Sequence, residues 1–149
     1  MQLVRSKPEH IEELVRISKS AFDSDIAVGA TEAGGPPDYD SEEWHMEMMH
    51  GGHLFTAVEQ DTIVGGAIVF VDENNPARLY VGRIFVDPSA FCKGYGCAIM
   101  EQIEENYPAV SVLDLDTPAW NVRTNRFYKK IGYTEIKNDG EDVFYRKIK

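Results

Sequence analysis

Between Lys19 and Arg78 the sequence has no lysine or arginine, while Asp23, Asp25, Glu32, Asp38, Asp40, Glu42, Glu43, Glu47, Glu59, Asp61, Asp72 and Glu73 all fall there. That segment carries −12 against a net charge of −10, so the remainder carries +2. A chain this acidic lacks the clustered cations that phosphate backbones require, which argues against nucleic acid as a partner. No apolar run approaches the roughly 18 residues of a membrane span, and the opening MQLVRSKPEH has no apolar core of a signal peptide. The expectation is a cytoplasmic protein that does not engage a membrane. Cysteine is scarce too. Cys92 and Cys97 are the only two, too few for a disulfide framework, and in a reducing compartment they read as small residues at a crowded turn. Neither an internal repeat nor a linker interrupts the 149 residues, which make one domain, 1–149, large enough for a core.

The most informative stretch is LYVGRIFVDPSAFCKGYGCAIMEQIEENY, from Leu79 to Tyr107. Leu79 to Val86 is apolar and β-branched, with Arg83 its one charge. It is long enough for a buried strand and too short for a helix. Asp87-Pro88 stops it. Beyond Gly94 and Gly96, Ile99, Met100, Ile103 and Tyr107 recur at helical spacing, with Glu101, Gln102, Glu104 and Glu105 on the opposite side. A glycine loop thus joins a buried strand to a helix N-terminus, where free N–H groups and the helix dipole favour an anion. Lys93 adds a full positive charge. The loop is not a Walker loop, because no Lys-Ser or Lys-Thr follows the last glycine, and it lacks the third glycine of a dinucleotide fingerprint.

Elsewhere, Leu3 and Val4 read as a short strand. Ser6-x-x-Glu9 with Pro8 opens a helix whose core stripe is Ile11, Leu14, Val15, Ser18 and Phe22. Asp23 to Asp40 has no period and Gly34-Gly35-Pro36-Pro37 at its centre, which reads as a lid or binding loop without regular structure. Asp40 with Glu43 caps a second helix carrying Trp44, Met48 and Met49, ended by Gly51-Gly52. Leu54 to Glu59 and Thr62 to Val71 are strands about a tight turn at Gln60-Asp61, with a bulge or kink at Gly65-Gly66. Val110 to Asp116 is a strand with Val112, Asp114 and Asp116 on one face, and a helix from Asn121 to Ile131 follows, closed by Gly132. Tyr133 to Ile136 and Val143 to Ile148 form a final hairpin. The expected fold is mixed α/β, a mostly antiparallel sheet flanked by helices in the order βααβββαβαββ.

Two segments resemble the GNAT N-acetyltransferase superfamily. Phe91-Cys92-Lys93-Gly94-Tyr95-Gly96 is similar to its pyrophosphate loop, with Phe91 where Gln or Arg is usual. Trp120 to Tyr133, WNVRTNRFYKKIGY, looks like its Asn-x-x-Ala-x-x-Phe-Tyr-x-x-x-Gly-Phe segment, with Thr124 in place of Ala. The resemblance implies acetyl-CoA as co-substrate and no metal. It assigns Phe91, Cys92, Lys93, Gly94, Tyr95, Gly96 and Cys97 to the diphosphate, the backbone of Ile84, Phe85 and Val86 to the pantetheine amides and oxyanion, and Asn121 and Asn125 to the pantetheine arm. Tyr128 becomes the hydroxyl that assists the departing thiolate.

The implied reaction is acetyl transfer to an amine. An alkylamine of pKa near 10.4 is neutral only about once in 10³ at pH 7, so its proton must be removed. In many relatives a Glu stands where this chain has Gly82. Asp116 is the first candidate base here, followed by His45 and Glu32, with loss through water also open. The acidic lid, on the acceptor side in this family, implies a cationic small-molecule or peptide amine; a homodimer is left open. Two rival readings are a silent acetyl-CoA-binding or sensing domain, suggested by Phe91 and Gly82, and a His/Met metal module over His45 to His53.

Overall fold

The structure is a computed structural model that describes residues 1–149. Seven strands form one sheet in the spatial order β1-β2-β3-β4-β5-β7-β6: β1 Gln2–Arg5, β2 Leu54–Glu59, β3 Thr62–Val71, β4 Arg78–Val86, β5 Val112–Pro118, β6 Thr134–Asn138 and β7 Asp142–Ile148. Only β4 and β5 run parallel. Four helices, α1 Ile11–Asp23, α2 Glu42–His50, α3 Tyr95–Asn106 and α4 Val122–Lys130, complete the expected order. None of them is long and apolar enough to cross a membrane.

The two sheet faces have separate cores. Ile11, Leu14, Val15, Ile17 and Ala21 of α1 pack with Leu54, Ile68 and Phe85 on one face, joined by the half-buried Phe22 and by side chains of α2. The other face is larger. Ile99, Met100 and Ile103 of α3 and Tyr128 of α4 pack there with Leu79, Val81, Leu113, Leu115 and Tyr145. Alternation along β5 buries Leu113 and Leu115 and leaves Asp114 and Asp116 on the opposite side.

Helix starts differ from expectation. Ser6 does not cap the first helix; its hydroxyl bonds the buried Thr56 hydroxyl at 2.7 Å, and the His10 ring accepts the Lys7 N–H at 3.1 Å. The second helix is capped by Ser41, whose Oγ accepts the Trp44 N–H at 3.1 Å, and not by Asp40. Its fully buried side chain is His45 rather than Trp44, Met48 or Met49. The lid also contains one regular piece, a 3₁₀ turn at Ser24–Val28.

Bulges occur at three places, one of them at Ile136 in β6, where Glu135 faces Tyr145 and Lys137 faces Phe144. Opposite β2, the register slips so that Val64, beside Gly65, is the extra residue. In β4 the slip falls at Gly82, because Val69 faces Val81 while Ile68 faces Arg83.

Asp114 ties the closing strands together. It accepts Arg146 Nε at 2.7 Å and Arg78 Nη2 at 2.5 Å. Burial opposes its charge, yet these two guanidinium groups hold its pKa below the usual carboxylate value. A carboxylate with a lowered folded pKa stabilises fully above its unfolded value, about 3.9, and the gain disappears as pH falls through the folded value. The Asp114→Asn variant should therefore show a flatter acid limb than the parent in urea melts taken below about pH 4. In the same assay Ser41→Ala should cost about 1 kcal/mol, whereas Asp40→Ala should stay within about 0.5 kcal/mol.

Candidate active site

Strand β4 pairs with β3 from Leu79 to Val86, but with β5 only where Arg78, Leu79 and Tyr80 face Val112, Leu113 and Asp114. Past that point the two parallel strands part. The extra residue at Gly82 bends β4 away from its neighbour, as bulges do. Glycine leaves room there, since a Cβ would lie 2.9 Å from Phe70 Cε2 and 3.3 Å from the Ile68 carbonyl. A glutamate at this position would have to displace the Phe70 ring.

The parting leaves a V-shaped cleft between two unpaired strand edges. The Asp87 N–H bonds the Val64 carbonyl at 2.8 Å. By antiparallel alternation Phe85 also faces β3, so the N–H groups of Ile84 and Val86 turn toward the cleft. The side chains of Ile84 and Val86 are half-buried against the larger core, while Phe85 is buried against α1.

Below the cleft, the turn that follows β4 is pinned to α1. Asp87 accepts the Ser89 N–H at 3.0 Å and Arg16 Nη2 at 2.9 Å. Burial works against the Asp87 charge, but these donors keep its pKa below the ordinary value. Phe91 is extended, and Cys92 and Gly94 are left-handed at φ 64° and 80°. Gly94 is the N-cap of α3 and supplies no capping side chain. The first helical bond runs from Ala98 N to Gly94 O at 3.1 Å, so the N–H groups of Tyr95, Gly96 and Cys97 precede it. No acidic residue stands in that turn. Lys93 is exposed beside it, as are Gly94 and Cys92. Here the backbone presents a cradle of donors with the positive end of the helix dipole behind them.

Helix α4 packs on the cradle at two points. A Cβ on Gly96 would meet Phe127 Cζ at 3.2 Å, so the glycine lets that ring close on α3. Arg123 stacks its guanidinium 4.7 Å from the centre of the Phe91 ring. The position where the loop departs from the expected Gln or Arg thus holds an arginine of the next helix.

Tyr128 faces inward, 6% exposed, with ring centres of Phe127, Tyr133 and Tyr145 at 5.3, 5.8 and 6.0 Å. Burial first, then the nearby charge of Asp116, pushes its pKa above the ordinary tyrosine value. It stays protonated. The carboxylate of Asp116 accepts the Tyr80 hydroxyl from across the start of the cleft. Tyr80 is likewise raised, by burial and by that hydrogen bond.

The two asparagines hold the frame. Asn121 is buried and its side chain caps α4 by accepting the Thr124 N–H at 3.1 Å. Asn125 donates to the Pro118 and Asn121 carbonyls at 3.0 and 2.8 Å and accepts the Tyr145 hydroxyl at 2.6 Å. It locks α4 to the tip of β5 and to β7, with its amide fully engaged inside the protein.

Of the other base candidates, Glu32 is exposed in the lid, and His45 is buried with Nδ1 2.7 Å from the Ser41 carbonyl. His53 bonds Val69 O at 3.1 Å and lies on Phe70, so His45, His50 and His53 do not form one ligand set. Sequence reasoning missed Tyr80 and Arg123. The period-2 pattern of β4 and β5 places Tyr80 and Asp116 on a common face once the strands are known to be neighbours, but nothing local marks the Arg123 stack.

Comparison with known proteins follows the same lines. Residues 12–133 match the sequence profile described as Acetyltransferase (GNAT) family. No curated protein sequence matches. Among solved structures, a PaiA N-acetyltransferase from Thermoplasma acidophilum, in complex with coenzyme A, superposes with a TM-score of 0.83 at 16% identity, over 99% of this chain and 98% of that one. A GNAT-family acetyltransferase from Streptococcus agalactiae gives 0.84 at 18% identity, over 99% and 95%. The ribosomal-protein-S18-alanine N-acetyltransferase from Escherichia coli gives 0.73 at 16%, over 97% and 91%. With a profile match over most of its length and the fold of these enzymes, the chain belongs to the GNAT acetyltransferase family.

Proposed function

We propose that the protein transfers the acetyl group of acetyl-CoA to a primary amine, by direct attack with Tyr128 assisting the leaving group. The observation that carries this reading is the cradle of helix N–H groups after β4, with Tyr128 on the helix whose Phe127 packs on Gly96 of that cradle. Three features of the chain fit the coenzyme. The cradle N–H groups at Tyr95, Gly96 and Cys97 suit a diphosphate, nothing lies within 4 Å of where a Gly94 side chain would project, and the N–H groups of Ile84 and Val86 suit the amides of an extended arm.

When bound, acetyl-CoA supplies a thioester carbonyl and a thiol leaving group. The rest is the work of this chain. Ile84 and Val86 offer N–H donors to carbonyl oxygens along the cleft. Tyr128, still carrying its proton at neutral pH, donates it or a hydrogen bond toward sulfur. Asp116 is the carboxylate whose charge acts on that hydroxyl, and it is our candidate for taking the amine's proton, directly or through water. The amine approaches from the acidic lid as an ammonium ion, drawn by a field of one sign. The alternative, an acetyl-CoA-binding domain without turnover, drew on Gly82 and Phe91, and each has a local explanation: the bulge and the Arg123 stack.

Thiol release measured across a panel of amines tests the reading, with acetyl-CoA binding followed by calorimetry. Tyr128→Phe should lower kcat by about 10²–10⁴, the range of a lost general acid, and leave the Kd of acetyl-CoA within about twofold. Binding without turnover in the parent protein would select the silent alternative. The pH profile gives a second outcome. Because the Tyr128 pKa is raised, its acid form persists where an ordinary tyrosine of pKa 10.0 would be half ionised. The kcat profile should rise with pH as the amine loses its proton and show no alkaline fall up to about pH 10.

A further inference from the structure

Arg83 is the only charge in the central part of β4, and its surroundings do not use it up. Its guanidinium stacks on Trp44 at 4.1 Å and donates through Nη2 to the lid carbonyl of Pro37. Nη1 is buried and donates to nothing. Asp38 is the nearest carboxylate that acts on it, without coming into ion-pair contact. A guanidinium fork with one tooth on a neutral carbonyl and the other unpartnered is an incomplete carboxylate site.

His45 supplies an independent observation on the same side of the sheet. It is 0% exposed, and its ring lies 6.4 Å from Phe85, two residues along β4 from Arg83. The Ser41 carbonyl can only accept, so Nδ1 carries the ring proton and Nε2 is a lone-pair acceptor. Burial, with the Arg83 charge, favours this neutral form and outweighs the Ser41 hydrogen bond and the charges of Asp38 and Asp40. Nε2 has no partner either. A donor lacking an acceptor and an acceptor lacking a donor thus stand near one another, and they do not bond to each other.

The acidic residues of this half largely face elsewhere. Glu12, Glu42, Glu43 and Glu47 line an outer groove between α1 and α2 that includes no residue of β4 or β5. Asp23 is taken by Lys19 at 2.6 Å and by the Tyr39 hydroxyl at 2.8 Å, and Asp25 lies 4.0 Å from Arg123. Asp38 and Asp40 act on His45, and Asp38 on Arg83, only through space, without an ion pair to the guanidinium.

We infer that the acceptor is a small amine that also carries a carboxylate, as a free amino acid does, with the carboxylate on the Arg83 fork. This rests on the acetyltransferase reading for the amine and sharpens its acceptor class. The Pro37 carbonyl holds one tooth of the fork until the carboxylate takes it, and it is the lid's hydrogen bond to the sheet.

Binding tests this without turnover. The chain has two tryptophans, so a Trp120→Phe background leaves Trp44, under the Arg83 guanidinium, as the single fluorophore. Free amino acids and their carboxamides are titrated in the presence of coenzyme A and read by Trp44 emission. A saturable response is expected in which removal of the carboxylate weakens binding by about ten- to a hundredfold, the worth of a charged hydrogen bond. Arg83→Met should abolish that difference, and Arg83→Lys, which keeps the charge but not the fork, should retain only part of it. Equal affinity for acids and amides, a preference that survives in Arg83→Met, or no saturable response to any amino acid would overturn the inference. Failure of coenzyme A to bind in calorimetry would instead overturn the acetyltransferase reading, and the tryptophan titration would still report on Arg83.

Discussion

One inserted residue governs this architecture. At Gly82 the central strand gains a position relative to β3, and from there β4 and β5 no longer hydrogen-bond. Backbone polar groups left unpaired inside a sheet are costly unless something satisfies them. Here they edge a cleft in which the N–H groups of Ile84 and Val86 face outward, able to serve an extended amide-bearing ligand as a neighbouring strand would. The same bulge brings the Phe70 ring and the Ile68 carbonyl close to where a side chain at Gly82 would project, so a larger residue there would have to move that ring. With glycine at this position the strand itself carries no carboxylate there, and the proposed base, Asp116, stands on β5 with the Tyr80 hydroxyl of β4 bonded to it.

The cleft would be of little use if its two ends moved independently. The cradle is fastened to α1 through Asp87 and Arg16, and to α4 through Gly96 on Phe127 and Phe91 under Arg123. Asn125 then fastens α4 to β5 and β7. The tyrosine next to Phe127 inherits its position from this packing. Because Tyr128 is buried among aromatic rings, its proton is held by desolvation rather than by a dedicated partner, and a hydroxyl in that state is a donor at any ordinary pH.

Much of this could be read from the residues. Strands Leu54–Glu59 and Thr62–Val71 fell where the β-branched runs and the Gln60-Asp61 turn put them, and the element order was complete, because period and turn chemistry are local signals. What failed was also local, but competitive. Ser6 and Ser41 are both good caps; Ser6 found the Thr56 hydroxyl across the sheet, while Ser41 and not Asp40 reached Trp44 N. Gly82 could have been read as a bulge, since glycine inside a strand signals one. The Arg123 stack on Phe91 and the unpartnered atoms of Arg83 and His45 depend on side chains far apart in sequence, and no spacing rule reaches them.

The distribution of charge on the proposed acceptor side then acquires a physical sense. An acidic exterior without cations raises the local concentration of ammonium ions but gives them no fixed orientation, since exposed carboxylates are screened within roughly a Debye length of about 8–10 Å. Orientation needs a contact that is short, directional and sheltered from water. Arg83 meets those conditions: one guanidinium, stacked on Trp44 and half-sunk in the sheet, with a free N–H. Attraction at long range and alignment at short range therefore call for opposite signs. A molecule with an ammonium group at one end and a carboxylate at the other satisfies both, whereas a purely cationic amine would meet Arg83 as a repulsive neighbour at the floor of the site.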